Sequence, residues 1–215
     1  MEENRELFRN EIKILDILKE RINKSYVINL IEFGDADFKI ENNISTHNYI
    51  ILEYADKGNL SDYICNYKSV LSEIHCKLIF YKILKEIKAL HNAKIYHLDI
   101  KLSNILLDGN FNPKISDFGY SEYDKINIKK RVGTRGYRAP ETYKKNKNYD
   151  GVKADTFSLG VALFRLITKK PGFRSSNKDE ALDIYENGDT INLYKLDILC
   201  YLIIFHKREM EIRKK

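Results

Sequence analysis

Cysteine is scarce in this sequence, and its few members lie far apart. Cys65, Cys76 and Cys200 include no CxxC pair, so the sequence predicts neither a disulfide framework nor a zinc site. Long apolar runs are missing too, because the longest, at 198–205, is far shorter than the roughly 20 residues of a transmembrane helix. The charged N-terminus does not resemble a signal peptide. We therefore expect a soluble, intracellular protein of the cytoplasm without a membrane span.

The sequence does contain enough apolar material to fold. Hydrophobic residues make up 43% of its 215 positions, with 15 Tyr and 10 Phe, which excludes a wholly disordered chain. This length suits one domain or two small lobes. The formal charge of +6 reflects lysines scattered among Ile, Asn and Tyr. Scatter favours compositional bias over a binding patch, so we expect no nucleic-acid partner.

The apolar pattern near the start predicts one helix and two strands. Apolar side chains recur at helical spacing over residues 7–22, which predicts an amphipathic helix ending near Asn23. β-Branched and aromatic runs at 26–33 and 48–53 predict two strands. The polar stretch between them predicts a loop. That loop would contain Gly34, Asp35, Asp37 and Asn42.

Further along, the pattern predicts two helices and a hairpin. Ser72 is a plausible N-cap for a long helix. Its apolar stripe would comprise Ile74, Leu78, Ile79, Ile83, Ile87 and Leu90. Short apolar runs at 105–107 and 114–116 flank strong turn formers and predict a hairpin. A second apolar helix at 154–168 would end before Pro171.

Two motifs flank the predicted hairpin: H-L-D-I-K-L-S-N at 97–104 and D-F-G at 117–119. A regular hairpin centred on the turn formers would place Asn104 directly opposite Asp117. Amide and carboxylate oxygens at one end of a rigid hairpin suit Mg²⁺, which completes its shell with water and phosphate oxygens. The spacing therefore predicts a nucleotide and metal site.

Two charged side chains precede this predicted metal pair. Asp99 lies in the loop before the hairpin, where it could accept or orient a hydroxyl proton, and Lys101 adds positive charge. Phosphoryl transfer mainly requires positioning and neutralisation of developing negative charge. A carboxylate, an ammonium group and a metal clamp match that requirement.

These motifs resemble those of the eukaryotic protein kinase family, whose third mark is the A-P-E found here at 139–141. Lys101 and the residues at 133–138 are similar to those at the same positions in the serine/threonine branch of the family. The resemblance implies ATP and Mg²⁺ as cofactors and a protein substrate. It also defines a catalytic loop (residues 97–104) and an activation segment (residues 117–141).

The resemblance implies a role for each residue of the two motifs. Asp99 resembles the catalytic base and Lys101 the γ-phosphate contact. Asn104 resembles the second metal ligand, and Asp117 resembles the principal one.

It also implies a nucleotide hinge. Glu53 and Ala55 would bind adenine through backbone groups, and Leu106 would pack under the base. Leu52 resembles the gatekeeper. Glu11 resembles the helix glutamate that pairs with the ATP-binding lysine.

Other positions resemble the supporting residues of the family. Asp155 would brace the catalytic loop, and Thr134 would contact Asp99 and Lys101. Glu141 would pair with a closing arginine that we do not recognise in the sequence. The regulatory spine would comprise Leu15, Leu30, His97 and Phe118.

The fold that the resemblance implies is α+β and two-lobed, with a truncated N-lobe and a mainly helical C-lobe that is incomplete at its C-terminal end. A partial N-lobe would span 1–54, the C-lobe core 55–175 and an atypical tail 176–215. No glycine-rich loop or ATP-binding lysine strand is recognised. Leu98 replaces the arginine that would hold a phosphorylated activation segment.

The sequence therefore predicts a monomeric serine/threonine protein kinase or the greater part of one. Two alternatives stay open. One is a catalytically impaired kinase-like binding or scaffold module, suggested by Leu98 and the unrecognised lysine strand. The other is a small-molecule phosphotransferase of related fold.

Overall fold

A computed structural model describes residues 2–22, 27–40, 43–66, 71–143 and 147–169. Several sequence predictions fall outside these residues. They concern the helix end at Asn23, the strand start at Tyr26, the loop residue Asn42, Pro171, the apolar run at 198–205 and the tail at 176–215.

Helices and strands both contribute to the described chain. The helices are α1 (Glu2–Arg21), α2 (Leu60–Asn66), α3 (Glu73–Asn92) and α4 (Gly151–Thr168). The strands are β1 (Leu30–Ile40), β2 (Asn43–Leu52), β3 (Ile95–Tyr96), β4 (Ile105–Leu107), β5 (Pro113–Ile115) and β6 (Glu122–Tyr123). Short 3-10 helices span Leu102–Asn104 and Pro140–Tyr143. This mixed content confirms the predicted α+β class.

The predicted first helix is confirmed as α1. Its apolar face buries Ile14, Leu15 and Leu18, whose spacing of one and three positions places them on one side of an α-helix. The same three residues belong to the main core with residues of α3, β4 and α4. Helix α1 is therefore attached to the rest of the chain through its buried side.

The predicted loop between the first two strands is wrong. Strands β1 and β2 pair antiparallel with Gly34 opposite Tyr49 and Asp37 opposite Thr46, so the polar stretch is strand. Side chains explain this: Thr46 Oγ1 donates to Asp37 Oδ1 at 2.6 Å, and Asn48 donates to Asp35. A Cβ at Gly34 would lie 3.0 Å from the Tyr49 hydroxyl, so glycine makes room for the ring.

Helix α3 confirms the predicted cap and corrects the predicted stripe. The Ser72 side chain accepts a hydrogen bond from the His75 N–H. Ile74 and Leu78, however, are 59% and 53% exposed, because they share a flank of the helix. The buried stripe consists of Cys76, Ile79, Phe80, Ile83, Ile87 and Leu90.

The predicted hairpin exists as β4 and β5, but its register differs from the prediction by one residue. Ile105 pairs with Ile115, so Asn104 faces Ser116 and not Asp117. The cause is the loop: the Asp108 carboxylate accepts the N–H groups of Asn110 and Asn112 at 2.8 Å each. This side-chain turn centres the loop on Asn110 itself.

Helix α4 ends at Thr168, as predicted, and begins at Gly151, where Asp150 accepts the N–H groups of Val152 and Lys153. Lys169 then adopts a left-handed conformation that ends the helix. Within the described residues, no helix combines the length and apolar character that crossing a bilayer requires.

Candidate active site

The catalytic loop is attached to α4 through Asp155. This carboxylate is buried and accepts the backbone N–H groups of His97 at 2.9 Å and Leu98 at 2.8 Å. His91 Nε2 lies 2.9 Å from the same carboxylate. Leu98 has a positive φ of 65°, a conformation that L residues adopt only under constraint. The two hydrogen bonds from the loop to Asp155 hold Leu98 in this conformation.

His97 has a structural position. Its Nε2 donates to the Ser116 carbonyl at 3.0 Å, and its Nδ1 accepts the Asp99 N–H at 3.2 Å. Its ring lies 5.1 Å from the ring of Phe118. Both residues are buried, as is Leu15, while Leu30 is partly buried against the same core.

Asp99, Lys101 and Thr134 form one hydrogen-bonded cluster. Lys101 Nζ donates to Asp99 Oδ2 at 2.6 Å and to Thr134 Oγ1 at 2.9 Å. The Thr134 N–H donates to Asp99 Oδ1 at 2.7 Å. The catalytic loop and the activation segment therefore meet at both oxygens of one carboxylate.

These partners determine the charge state of Asp99. Burial raises the pKa of its carboxyl group, but hydrogen bonds from Lys101 and Thr134 and the charge of Lys101 outweigh burial, so the net pKa is lowered. Asp99 is therefore ionised at neutral pH and acts as a hydrogen-bond acceptor.

Asn104 lies beside Asp99. Its Nδ2 donates to the Asp99 carbonyl at 3.0 Å and lies 3.3 Å from Asp99 Oδ2. The backbone carbonyl of Asn104 accepts hydrogen bonds from the N–H and the hydroxyl of Ser116, each at 3.0 Å. Because both side-chain bonds use the amide nitrogen, the amide oxygen stays available as a ligand atom.

Asp117 lies one residue beyond Ser116, which faces Asn104 across the hairpin, and it is exposed. Its φ of 65° turns the chain two residues after the end of β5. Among the described residues, no hydrogen bond joins Asp117 to Asn104 or Asp99. Its charge acts on Glu11: burial raises the pKa of Glu11, and repulsion by Asp117 raises it further. Glu11 Oε1 also accepts the Phe118 N–H at 3.4 Å.

A second α1 residue, missed by the sequence analysis, holds this segment. Asn10 Nδ2 donates to the carbonyls of Gly119 at 2.8 Å and Ser121 at 2.9 Å. No pattern in the sequence indicated that Asn10 would reach the backbone of residues 119–121.

The predicted hinge runs alongside the hairpin. The Glu53 N–H donates to the Asn29 carbonyl at 2.9 Å, and Glu53 Oε1 accepts Lys114 Nζ at 2.6 Å. Ala55 O accepts the Gly58 N–H at 3.0 Å. The Lys114 contact, which the sequence did not indicate, ties the hinge to β5.

Leu106 and Leu52 occupy the two sides of this hinge. Leu106 bridges to Asn59, so β4 runs next to the chain that follows the hinge. Leu52 pairs with Leu30 at the end of the β1–β2 hairpin. Both leucines are partly buried against the main core.

Glu141 is placed on the 3-10 helix Pro140–Tyr143 and forms no hydrogen bond or ion pair with another described residue. Arg138 binds the residue next to Glu141. Its Nε donates to the Thr142 hydroxyl at 2.8 Å, and its Nη2 donates to the Thr142 carbonyl at 2.7 Å. The predicted pairing of Glu141 stays a prediction.

Leu98 is the centre of an apolar cluster that the sequence did not indicate. It packs in a second buried group with Ile128 and Ala139 of the activation segment. Tyr149 and Ala154 complete the group. Apolar contact therefore joins the catalytic loop to the activation segment where the family resemblance led us to expect an arginine.

Comparison with known proteins agrees with this geometry. The family model of the protein kinase domain matches residues 1–205. The serine/threonine-protein kinase SAPK1 of Oryza sativa subsp. japonica is 40% identical over 126 residues, which are 57% of this chain and 36% of that protein. The serine/threonine-protein kinase cds1 of Schizosaccharomyces pombe is 33% identical over 190 residues, 85% of this chain and 38% of that protein.

A third relative extends the similarity. The serine/threonine-protein kinase shk2 of Schizosaccharomyces pombe is 32% identical over 198 residues, which are 91% of this chain and 31% of that protein. The chain thus spans about a third of the length of these curated relatives. The family match covers most of the chain, and the chain belongs to the protein kinase domain family.

Proposed function

We propose that this chain is the greater part of a serine/threonine protein kinase catalytic domain. It would transfer the γ-phosphoryl group of ATP to a protein hydroxyl. The supporting observation is the cluster in which Lys101 and Thr134 hold both carboxylate oxygens of Asp99. In the reaction, the hydroxyl oxygen bonds to the γ-phosphorus as the bond to the β–γ bridging oxygen breaks, which releases ADP.

In this proposal Asp99 orients the substrate hydroxyl and accepts its proton. Its lowered pKa keeps the carboxylate ionised, so it is an acceptor before the hydroxyl arrives. Lys101 places an ammonium charge beside the transferred group. Thr134 fixes the distance between these two side chains.

Asn104 and Asp117 would hold Mg²⁺. Their amide and carboxylate oxygens are the hard donors that this ion prefers, Asp117 is exposed, and the Asn104 amide nitrogen is already occupied by Asp99. The residues therefore fit the ion. When bound, it would neutralise phosphate charge.

The adenine would bind at the hinge through the backbone of Glu53 and Ala55, with Leu106 beneath it. Since Lys114 and the Asn29 N–H both bind the Glu53 side chain, the hinge backbone is held in place before the nucleotide arrives. We assign 1–54 to the smaller lobe and 55–175 to the larger one.

An impaired kinase-like binding module is the second candidate. The observation that favours it concerns Glu11, whose carboxylate accepts the Phe118 N–H and has no cationic partner among the described residues. Such a module would bind nucleotide without transferring phosphate.

Phosphate transfer by the purified full chain distinguishes these candidates. With ATP, Mg²⁺ and a mixture of serine and threonine peptides, we expect transfer that falls by about 10² or more in Asp99→Asn. Asp16→Asn, an exposed acid on α1, is the matched control. Equal transfer by all three chains would refute the catalytic proposal. A thermal shift with ATP but no transfer would support the binding module.

A further inference from the structure

The activation segment carries a dense set of positive charges. Between positions 125 and 138 the sequence has six basic residues and no acidic one. They are Lys125, Lys129, Lys130, Arg131, Arg135 and Arg138. Lysine is scattered over the rest of the chain, but in this stretch the basic residues are clustered.

Three of these cations have partners. Lys125 and Lys130 pair with Glu122 at 3.0 and 2.9 Å. Arg138 donates to Thr142, and its guanidinium group stacks on Tyr143 at 4.2 Å. These contacts give the three residues a structural role within the activation segment.

The other three are Lys129, Arg131 and Arg135, which we call the basic surface. All are exposed, and within the described part of the chain none forms an ion pair or hydrogen bond. Burial lowers the pKa of Arg138, and the charges of Arg131 and Arg135 lower it further. Arg131 and Arg135 are therefore close enough to Arg138 for their charges to act on it, although Tyr143 and Tyr149 oppose the shift.

Arg135 places one end of the basic surface next to the proposed reaction site. Arg135 directly follows Thr134, which bonds both Asp99 and Lys101. Gly133 is pressed against the catalytic loop, since a Cβ there would lie 2.7 Å from the Leu98 carbonyl. A polypeptide whose hydroxyl reaches Asp99 would therefore come close to Arg135.

A phosphate on Ser121 or Thr134 does not account for the charge. Ser121 is buried and donates to the His97 carbonyl at 3.2 Å. Thr134 is occupied by Lys101. Neither hydroxyl is accessible without breaking the contacts that hold the catalytic loop.

We propose that the basic surface selects protein substrates with acidic side chains, Asp or Glu, beside the acceptor hydroxyl. This inference rests on the proposed function and adds its specificity. Uncompensated charge of one sign beside a site raises the local concentration of oppositely charged ligands and rejects cationic ones. Guanidinium groups also bind carboxylates in a bidentate manner.

The test compares two peptides that differ only beside a single serine, one with Glu and the other with Gln. For the full chain we expect kcat/KM to favour the acidic peptide about fivefold to tenfold, as two or three exposed ion pairs allow. In Arg131→Gln/Arg135→Gln this ratio should fall close to 1. It should also shrink when salt rises from 0.05 to 0.5 M, roughly, because the charges are exposed.

The matched control is Lys85→Gln/Lys88→Gln, which removes two exposed charges from α3 and should keep the ratio. A ratio near 1 in the unmodified chain, or an equal loss in both double variants, would overturn the inference. If neither peptide is phosphorylated, the proposed function fails. In that case, fluorescence anisotropy measures the binding of the same two peptides to the full chain without ATP. This measurement tests the preference for the acidic peptide independently of phosphate transfer.

The binding measurement includes a competitor of another class. A single-stranded oligonucleotide of equal net charge should displace the acidic peptide no better than unlabelled acidic peptide does. Tighter binding of the oligonucleotide would identify a nucleic-acid surface and refute selection of acidic peptides.

Discussion

The Thr134 backbone N–H donates a hydrogen bond of 2.7 Å to Asp99 Oδ1, across a sequence separation of 35 positions. The side chain of the same threonine accepts from Lys101 at 2.9 Å. Two different atoms of one residue thus position both charged groups of the proposed reaction site. The backbone bond survives substitution, so the side-chain contribution can be measured separately.

Thr134→Val should lower kcat/KM about tenfold. Valine has a similar shape and keeps the N–H bond to Asp99, but it removes the acceptor for Lys101, and a hydrogen bond to a charged group contributes about 1.5 kcal/mol. Thr134→Ser retains the hydroxyl and should stay within about twofold of the unmodified chain. Equal activity of the valine and serine variants would show that the hydroxyl does not position Lys101.

The family resemblance predicted this cluster, because Asp99, Lys101 and Thr134 each match a position in its motifs. Spacing alone could not bring Thr134 to Asp99 across 35 positions. The sequence predicted the hairpin but misplaced Asn104 against Asp117, since the Asp108 side-chain turn shifts the register by one residue. The register of a hairpin depends on the hydrogen bonds within its loop. The spacing of apolar residues gives no information about those bonds.

Long-range contacts were harder to predict. The polar residues of β1 were assigned to a loop, because their stabilising partners, such as Thr46 for Asp37, lie on another strand. Burial of Glu86 was not anticipated either, because a glutamate in an amphipathic helix usually faces solvent. Such outcomes depend on tertiary packing, and a single sequence gives no direct signal for them.

Leu98→Ala should destabilise the chain by about 2 kcal/mol, because truncating a buried leucine removes apolar contacts and leaves a cavity. Leu98 packs against Ile128, and the Ile128 N–H donates to the Tyr149 carbonyl at 3.1 Å. Hydrogen exchange at that amide should become faster in the variant. Urea unfolding measures the stability.

Ile126→Ala is the control for Leu98→Ala, because Ile126 lies two positions from Ile128 in the activation segment and is 82% exposed. It should change the free energy of unfolding by less than about 0.5 kcal/mol. Equal exchange rates at the Ile128 amide in both variants would contradict the role of Leu98 in holding the activation segment.

Asp155→Asn should destabilise the catalytic loop, because the Asp155 carboxylate accepts two backbone N–H groups and an amide has only one acceptor oxygen. A buried donor left without a partner costs about 1–3 kcal/mol. Urea unfolding should show a loss of this size, whereas Asp16→Asn on the exposed side of α1 should show almost none. A similar small effect for both would mean that Asp155 does not brace the loop.

Glu86 on α3 should make stability depend on pH. It is buried, and its Oε2 has no hydrogen-bond partner within the part of the chain that the structure describes. Burial raises its pKa to about 10, although Lys114 and Lys82 oppose the shift and Asp108 adds to it. The folded chain therefore keeps a proton that the unfolded chain releases above pH 4.5 or so, and the free energy of unfolding should fall as pH rises from there toward 10.

Glu86→Gln tests this because glutamine resembles the protonated acid and does not ionise. Between pH 5 and pH 8, roughly, we expect the unmodified chain to lose about 2 kcal/mol or more relative to Glu86→Gln, since each unit of pKa difference corresponds to about 1.4 kcal/mol. Glu20→Gln, an exposed position on α1, should retain the slope of the unmodified chain. Parallel pH profiles for the unmodified chain and Glu86→Gln would show that Glu86 is ionised in the fold, with Lys82 and Lys114 compensating its burial.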